Sequence, residues 1–329
     1  MKRILILVVG LGLVLLTGPS AHAQSSSVTV LRNETAVQFP SQVTFQLEFT
    51  GEVTEAALTY DVVQTSCLDA SAQVPVEVNG QQVEWTWVMS RSGNPPPGAE
   101  LWWEWTLTTA DGRVITTPRQ TVTLSDDRFD WRTVSAENIH LHWYKGDEVG
   151  PLLLDAAVAG LHQLQDEMGI QLQSDVQFYI YGSSQDMRDA VLYIQDWAGG
   201  VAFSEYNTIL MGVPPNIAAD WGRTTVRHEL AHLVIGQFAN SCVGGHLPTW
   251  LNEGLAVYAE GEPDSDTLAD IANGIDNNQF EPLRSLNGAF PAHDAAASMA
   301  YSESYSVVNF MLNTYGQKKM QQLLLTLAD

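Results

Sequence analysis

Thr224-Thr225-Val226-Arg227-His228-Glu229-Leu230-Ala231-His232-Leu233-Val234 is the stretch from which the rest of the chain is read. Val226, Leu230, Leu233 and Val234 recur at helical spacing, with Phe238 one turn further on, which predicts a helix with one buried side. His228 and His232 are four residues apart, so both project from its polar face, one turn above the other. Two imidazoles so placed can reach a single Zn²⁺ at ~2.0–2.1 Å. Glu229, beside the first, is placed to take a proton from a metal-activated water. The same residues also fit a core helix carrying two structural histidines and a surface glutamate. A third ligand downstream would separate the two readings.

Glu253 is a candidate, in Trp250-Leu251-Asn252-Glu253-Gly254-Leu255-Ala256, 21 residues after His232. The breaker-rich run Asn240 to Pro248 ends the first helix, and Thr249 to Glu260 reads as a second. That distance lets the second helix return antiparallel and bring its carboxylate to the two histidines, with a fourth position left for water. The bland reading of Glu253 is a surface helix glutamate. His246 and His293 are ligands by type but sit in no ligand pattern and read as loop histidines. Asp264, Asp266 and Asp270 hint at calcium, but lack the spacing and glycine of an EF-hand and read as a solvated helix start after Pro263.

With this second block the chain resembles the gluzincin metallopeptidases, and most closely the bacterial peptidase MA-like domains. These pair H-E-x-x-H with a downstream W-L-x-E-G-x-A-x-Y helix, here Trp250 through Tyr258. The metzincin pattern does not fit, since Ile235 and Phe238 stand where it needs Gly and His. The resemblance spans roughly residues 126–329 and implies a thermolysin-like α+β domain whose C-terminal part is mostly helical. It implies one zinc per chain held by His228, His232 and Glu253, with Glu229 as general base on peptide or protein substrates. It also implies an oxyanion donor beyond the glutamate ligand. Tyr301 best matches that place, with Tyr305 one turn later in reserve; either could instead be a core tyrosine. In such folds an edge strand before the H-E-x-x-H helix pairs with an extended peptide, and Thr208 to Gly212 is the expected strand. No G-x-M-E-N block is present, which favours endopeptidase over aminopeptidase action.

The start of the chain reads as a secretory leader, Met1 to Ala23. Lys2 and Arg3 precede the apolar run Ile4 to Leu16, and Ala21-His22-Ala23 offers a small-x-small cleavage site before Gln24. The run is shorter than the ~20 residues a membrane span needs, so a secreted or extracytoplasmic protein without a stable span is expected. The net charge of −23, or −25 without Lys2 and Arg3, argues against nucleic acid and anionic membrane as partners. Cys67 and Cys242 are the two cysteines and fall in different halves of the chain. In an oxidising compartment they permit a disulfide tying the halves together; a pair of buried thiols is the alternative.

Residues 24–125 read as an all-β domain. Val43, Phe45, Leu47 and Phe49 alternate with polar residues, and Val83, Trp85 and Trp87 share a face, as do Trp103 and Trp105. Asn79-Gly80 and Asp111-Gly112 are tight-turn pairs. Strands at this spacing suggest an immunoglobulin-like sandwich. The tryptophans could stack on sugars, but their alternation places them between sheets, with only out-of-phase Trp102 a candidate for exposure. Composition shifts at Ser125-Asp126-Asp127, and residues 126–329 read as strands followed by helices, an α+β unit. Ile139 to Tyr144 and Val176 to Tyr181 are strands, Ala202 to Val213 a hairpin across Glu205 to Asn207, and Asp220 or Thr224 the cap of the metal-site helix. Two functions follow. One is an exported zinc peptidase; the other is a cell-surface binding or structural protein with a catalytically idle zinc domain.

Overall fold

The computed structural model describes residues 27–64, 70–194, 199–239, 247–291 and 294–328. The expected leader Met1–Ala23, Cys67, Cys242, His246 and His293 lie outside these residues.

The N-terminal region consists of β1 (Thr29–Gln38), β2 (Gln42–Thr50), β3 (Val53–Val62), β4 (Ala72–Val76), β5 (Gln82–Val88), β6 (Glu100–Thr109), β7 (Val114–Thr116) and β8 (Gln120–Thr123). They form two antiparallel sheets, β1-β2-β5 and β4-β3-β6, the latter extended by β7 and β8, which pair with opposite halves of β6. The alternation in β2 is the cause: Val43, Phe45, Leu47 and Phe49 are all fully buried, while the residues between them are not. They meet Leu58 of β3 and Leu101, Trp103, Trp105 and Leu107 of β6 in one core. Trp85 and Trp87 close its margin against Tyr60, with ring centroids 5.1 and 5.6 Å away. The tryptophans are thus core and margin groups. Trp102 is half-buried rather than exposed, because the Arg119 guanidinium lies 3.5 Å above its ring.

The second region contains β9 (Arg132–Ala136), β10 (Ile139–Trp143), α1 (Val149–Gln163), β11 (Val176–Tyr181), α2 (Ser184–Arg188), β12 (Gly200–Phe203) and β13 (Thr208–Gly212). It continues with α3 (Arg223–Phe238), α4 (Thr249–Glu260), α5 (Ser265–Asp276), α6 (Asp294–Tyr315) and α7 (Gln317–Ala328). The sheet order is β12-β13-β11-β10-β9. β10, β11 and β13 run parallel, and β9 and β12 are the antiparallel edges. α1 and α3 pack in the same core as Ile139, Leu141, Phe178, Ile209 and Met211, on one face of this sheet.

Two expectations change here. Thr208–Gly212 is not an edge strand: β11 lies on one side and β12 on the other, and every one of its residues is buried. Among the described residues, the edge strand on this side of the sheet is β12. Neither Asp220 nor Thr224 caps α3 either, because a π turn over Ala218–Gly222 runs directly into it and takes up the first amides. Asp264 does cap α5, accepting from Thr267 N at 2.8 Å, and Asp270 accepts from Ser298 Oγ at 2.6 Å. Two of the three acidic residues thus have hydrogen-bond partners within the protein.

Between β8 and β9, a buried polar contact joins the chain to β11. Asp126 is buried, accepts from the Arg128 guanidinium at 2.7 and 2.6 Å, and accepts from Tyr181 Oη at 2.9 Å. No helix among the described residues is long and apolar enough to cross a membrane.

Candidate metal centre

α3 is held by Val226, Leu230, Leu233, Val234 and Ile235, all buried in the core. Each such side chain contributes about 1.5–3 kcal/mol relative to exposure, so the helix is fixed and its opposite face presents His228, Glu229 and His232 to a cleft. α4 returns beside it with Leu251, Leu255, Ala256 and Ala259 buried, which turns Glu253 toward the histidines. Gly254 lets α6 come close: a Cβ there would lie 2.5 Å from the carbonyl oxygen of Ser304. That close crossing brings Tyr301 of α6 to the cleft, its ring 6.2 Å from that of His228.

The three ligand atoms form a near-equilateral triangle. His228 Nε2 and His232 Nε2 are 3.2 Å apart, and Glu253 Oε2 is 3.4 Å from each. Glu253 Oε2 is buried without a hydrogen-bond partner. A buried carboxylate oxygen left unbonded is costly, unless something else sits between it and the two nitrogens. Tetrahedral bonds of ~2.0–2.1 Å separate their ligand atoms by roughly 3.3–3.4 Å, so the triangle matches one face of a zinc tetrahedron. Two imidazole nitrogens and one carboxylate oxygen are also a donor set suited to that ion. His228, His232 and Glu253 lie close enough together to hold a metal ion, and among the described residues no other such group occurs.

Glu260 completes the site and is absent from the sequence reading. Its Oε1 lies 2.7 Å from His228 Nδ1, which turns Nε2 toward the triangle. Glu260 stands seven residues after Glu253, close to two full helical turns, so the two carboxylates share a face of α4. That spacing was the available signal. Burial disfavours the His228 imidazolium, but Glu253 and Glu260 outweigh it and push the ring up to about 10. Burial likewise raises the Glu253 carboxyl, and the two imidazoles facing it overcome this and bring it down to about 2.

Glu229 lies against β12. A Cβ on Gly200 would sit 2.7 Å from Glu229 Oε1, so glycine is what admits the carboxylate beside the sheet edge. Burial raises the Glu229 pKa, with the neighbouring imidazoles opposing. Burial also raises that of Tyr301, reinforced by Glu253 and Glu229, which keeps its phenol protonated. Tyr305 is placed elsewhere, buried and stacked on Tyr258 at 6.2 Å between α4 and α6. The cleft, about 1280 Å³, runs past Gly199, Gly200 and Val201 on one side and Asp264, Ser298 and Tyr301 on the other.

Comparisons with known proteins add the family. No curated protein matches the chain. Among solved structures, the carbohydrate-binding module family 56 β-1,3-glucan binding domain is 16% identical, covering 30% of this chain and 99% of its own, with a TM-score of 0.21. A polysaccharide deacetylase from Bacillus cereus is 11% identical over 47% of this chain and 52% of its own, TM-score 0.25. The third fibronectin III domain of the human KIAA0343 protein is 10% identical over 33% and 93%, TM-score 0.23. The Peptidase MA superfamily model matches residues 156–329, more than half of the sequence and all of the triangle with its flanking helices. The chain belongs to the Peptidase MA superfamily.

Proposed function

We propose that this protein is an exported zinc-dependent peptidase, with endopeptidase action favoured by the missing G-x-M-E-N block. The observation that carries the reading is the triangle of His228 Nε2, His232 Nε2 and the unpartnered Glu253 Oε2, with Glu229 beside it on the cleft wall. Zn²⁺, when bound, supplies a Lewis acid that acidifies water and polarises the scissile carbonyl. Glu229 accepts the proton of the attacking water and then delivers it to the leaving amine. Tyr301 donates its phenolic hydrogen to the developing oxyanion. Glu260 keeps the His228 ring in the orientation that offers Nε2. β12, the edge strand next to Glu229, takes an extended substrate as an added strand, with main-chain bonds giving affinity and little sequence selectivity.

The wider assignments form part of the same proposal. Met1–Ala23 is a cleaved leader, residues 24–125 an immunoglobulin-like sandwich, and residues 126–329 a thermolysin-like zinc domain.

Cleavage of an unfolded protein substrate tests the reading. The zinc-loaded wild type is expected to cleave, and a chelator to stop it. Glu229→Gln should keep its zinc and lose at least about 10²-fold in kcat, the lower range for a general base. A zinc-loaded wild type inert toward a broad peptide library would overturn it.

A further inference from the structure

We propose that the β region braces one rim of the peptidase cleft: Asn94 is a positioning residue that holds Tyr193 at the rim, where its ring contacts an apolar substrate side chain. The inference rests on the peptidase reading for the nature of its ligand, and on separate residues for its geometry.

The segment after α2 leads from the sheet's far end to the cleft, where Tyr193 and Ile194 are lining residues. Its own backbone bonds stop early, at Ala190 N to Met187 O and Val191 N to Arg188 O. Beyond that, the β region takes over. Asn94, only 8% exposed, donates from Nδ2 to Ala190 O at 2.8 Å and accepts from Leu192 N at 2.8 Å. One carboxamide thus satisfies the carbonyl of one residue and the amide of the next but one, as a paired strand would. Leu192 packs against the sandwich core. Tyr193 Oη donates to the carbonyl oxygen of Ser90, again in the β region.

These anchors hold an otherwise unfavourable arrangement. Tyr193 has φ +67°, in the left-handed region that non-glycine residues avoid, and is 79% exposed. Such a backbone persists only where its surroundings fix it. An aromatic ring tethered at its hydroxyl and left open along its faces is an amphipathic contact surface with little freedom to lose. Ile194 and Val201 of β12 pack against the same small cluster, and Tyr193 lines the cleft together with Gly200 and Val201. A peptide lying along β12 would therefore direct alternate side chains toward this rim, and the ring favours aromatic or large apolar ones.

Peptide binding to the zinc-loaded Glu229→Gln protein tests this without turnover. The probe is a fluorescein-labelled extended peptide with phenylalanine at alternate positions; a second has alanine there instead. Tyr193→Ala is expected to weaken the phenylalanine peptide about two- to tenfold, the range of one aromatic contact, and to leave the alanine peptide unchanged. Asn94→Ala should shift the same preference in the same direction with zinc content unaltered. Tyr193→Phe, which keeps the ring but loses its tether, should fall between. Equal affinities for both peptides across Tyr193→Ala and wild-type backgrounds would overturn the proposal, as would an effect of equal size on both peptides. Selective loss in a protein whose wild type cleaves nothing would support the rim assignment while the peptidase reading fails.

Discussion

At the scale of single residues, the site depends on what faces each ligating atom from behind. Glu253 Oε2 has no hydrogen-bond partner, whereas His228 is held at Nδ1 by Glu260 at 2.7 Å. An imidazole fixed in this way offers its other nitrogen in one orientation, and its basicity is raised. Glu260→Ala is therefore expected to weaken zinc about 10- to 100-fold, read by competition with a chromophoric chelator. Glu260→Gln keeps an acceptor and should lose less. Unchanged affinity in Glu260→Ala would remove its supporting role. The histidines and Glu253 were legible because their spacing repeats the geometry of helices. Glu260 was equally available in its spacing from Glu253, but no motif includes it. Only the family resemblance ranked Tyr301 above Tyr305, since both lie on α6 and its crossing with α4 decides which one meets the cleft.

At the scale of elements, the decisive contact is a close approach made possible by glycine. α4 and α6 touch at Gly254, where an added Cβ would lie 2.5 Å from Ser304 O. Gly254→Ala would gain about 1 kcal/mol of helix propensity and lose about 1–3 kcal/mol to overpacking against backbone that cannot swing away. The loss wins, so the metal-free variant should melt below the wild type in a thermal scan. An equal or higher midpoint would show that the helices separate without cost. Thr208-Ile209-Leu210-Met211-Gly212 is an apolar run rather than an alternation, and a run marks a strand covered on both faces. It is buried throughout, with neighbours on both sides. Gly200–Phe203, the outer strand, is the first arm of the hairpin expected across Glu205 to Asn207 and pairs antiparallel with Thr208–Gly212, though it begins two residues earlier than Ala202. Strand order, moreover, is a non-local property that no local pattern carries.

At the scale of the whole molecule, two cores share a junction fixed by polar groups. Asp126 ties the end of the β region to Tyr181 of β11, and Asn94 ties the loop after β5 to the segment after α2. The first lies within the change of composition at Ser125 to Asp127. The second joins residues 96 and 98 positions apart, and nothing in the sequence marks it. The β region thus contacts the cleft rim directly, and the metal triangle is assembled wholly from α3 and α4. Everything assigned to the cleft depends on that triangle holding zinc. Elemental analysis of the full-length protein, dialysed against zinc and then freed of excess ion, tests this most directly. One zinc per chain is expected in the wild type and in Glu229→Gln, with loss of zinc in His232→Ala and Glu253→Ala. A wild type that retains no zinc, or a Glu253→Ala variant that retains it undiminished, would contradict it.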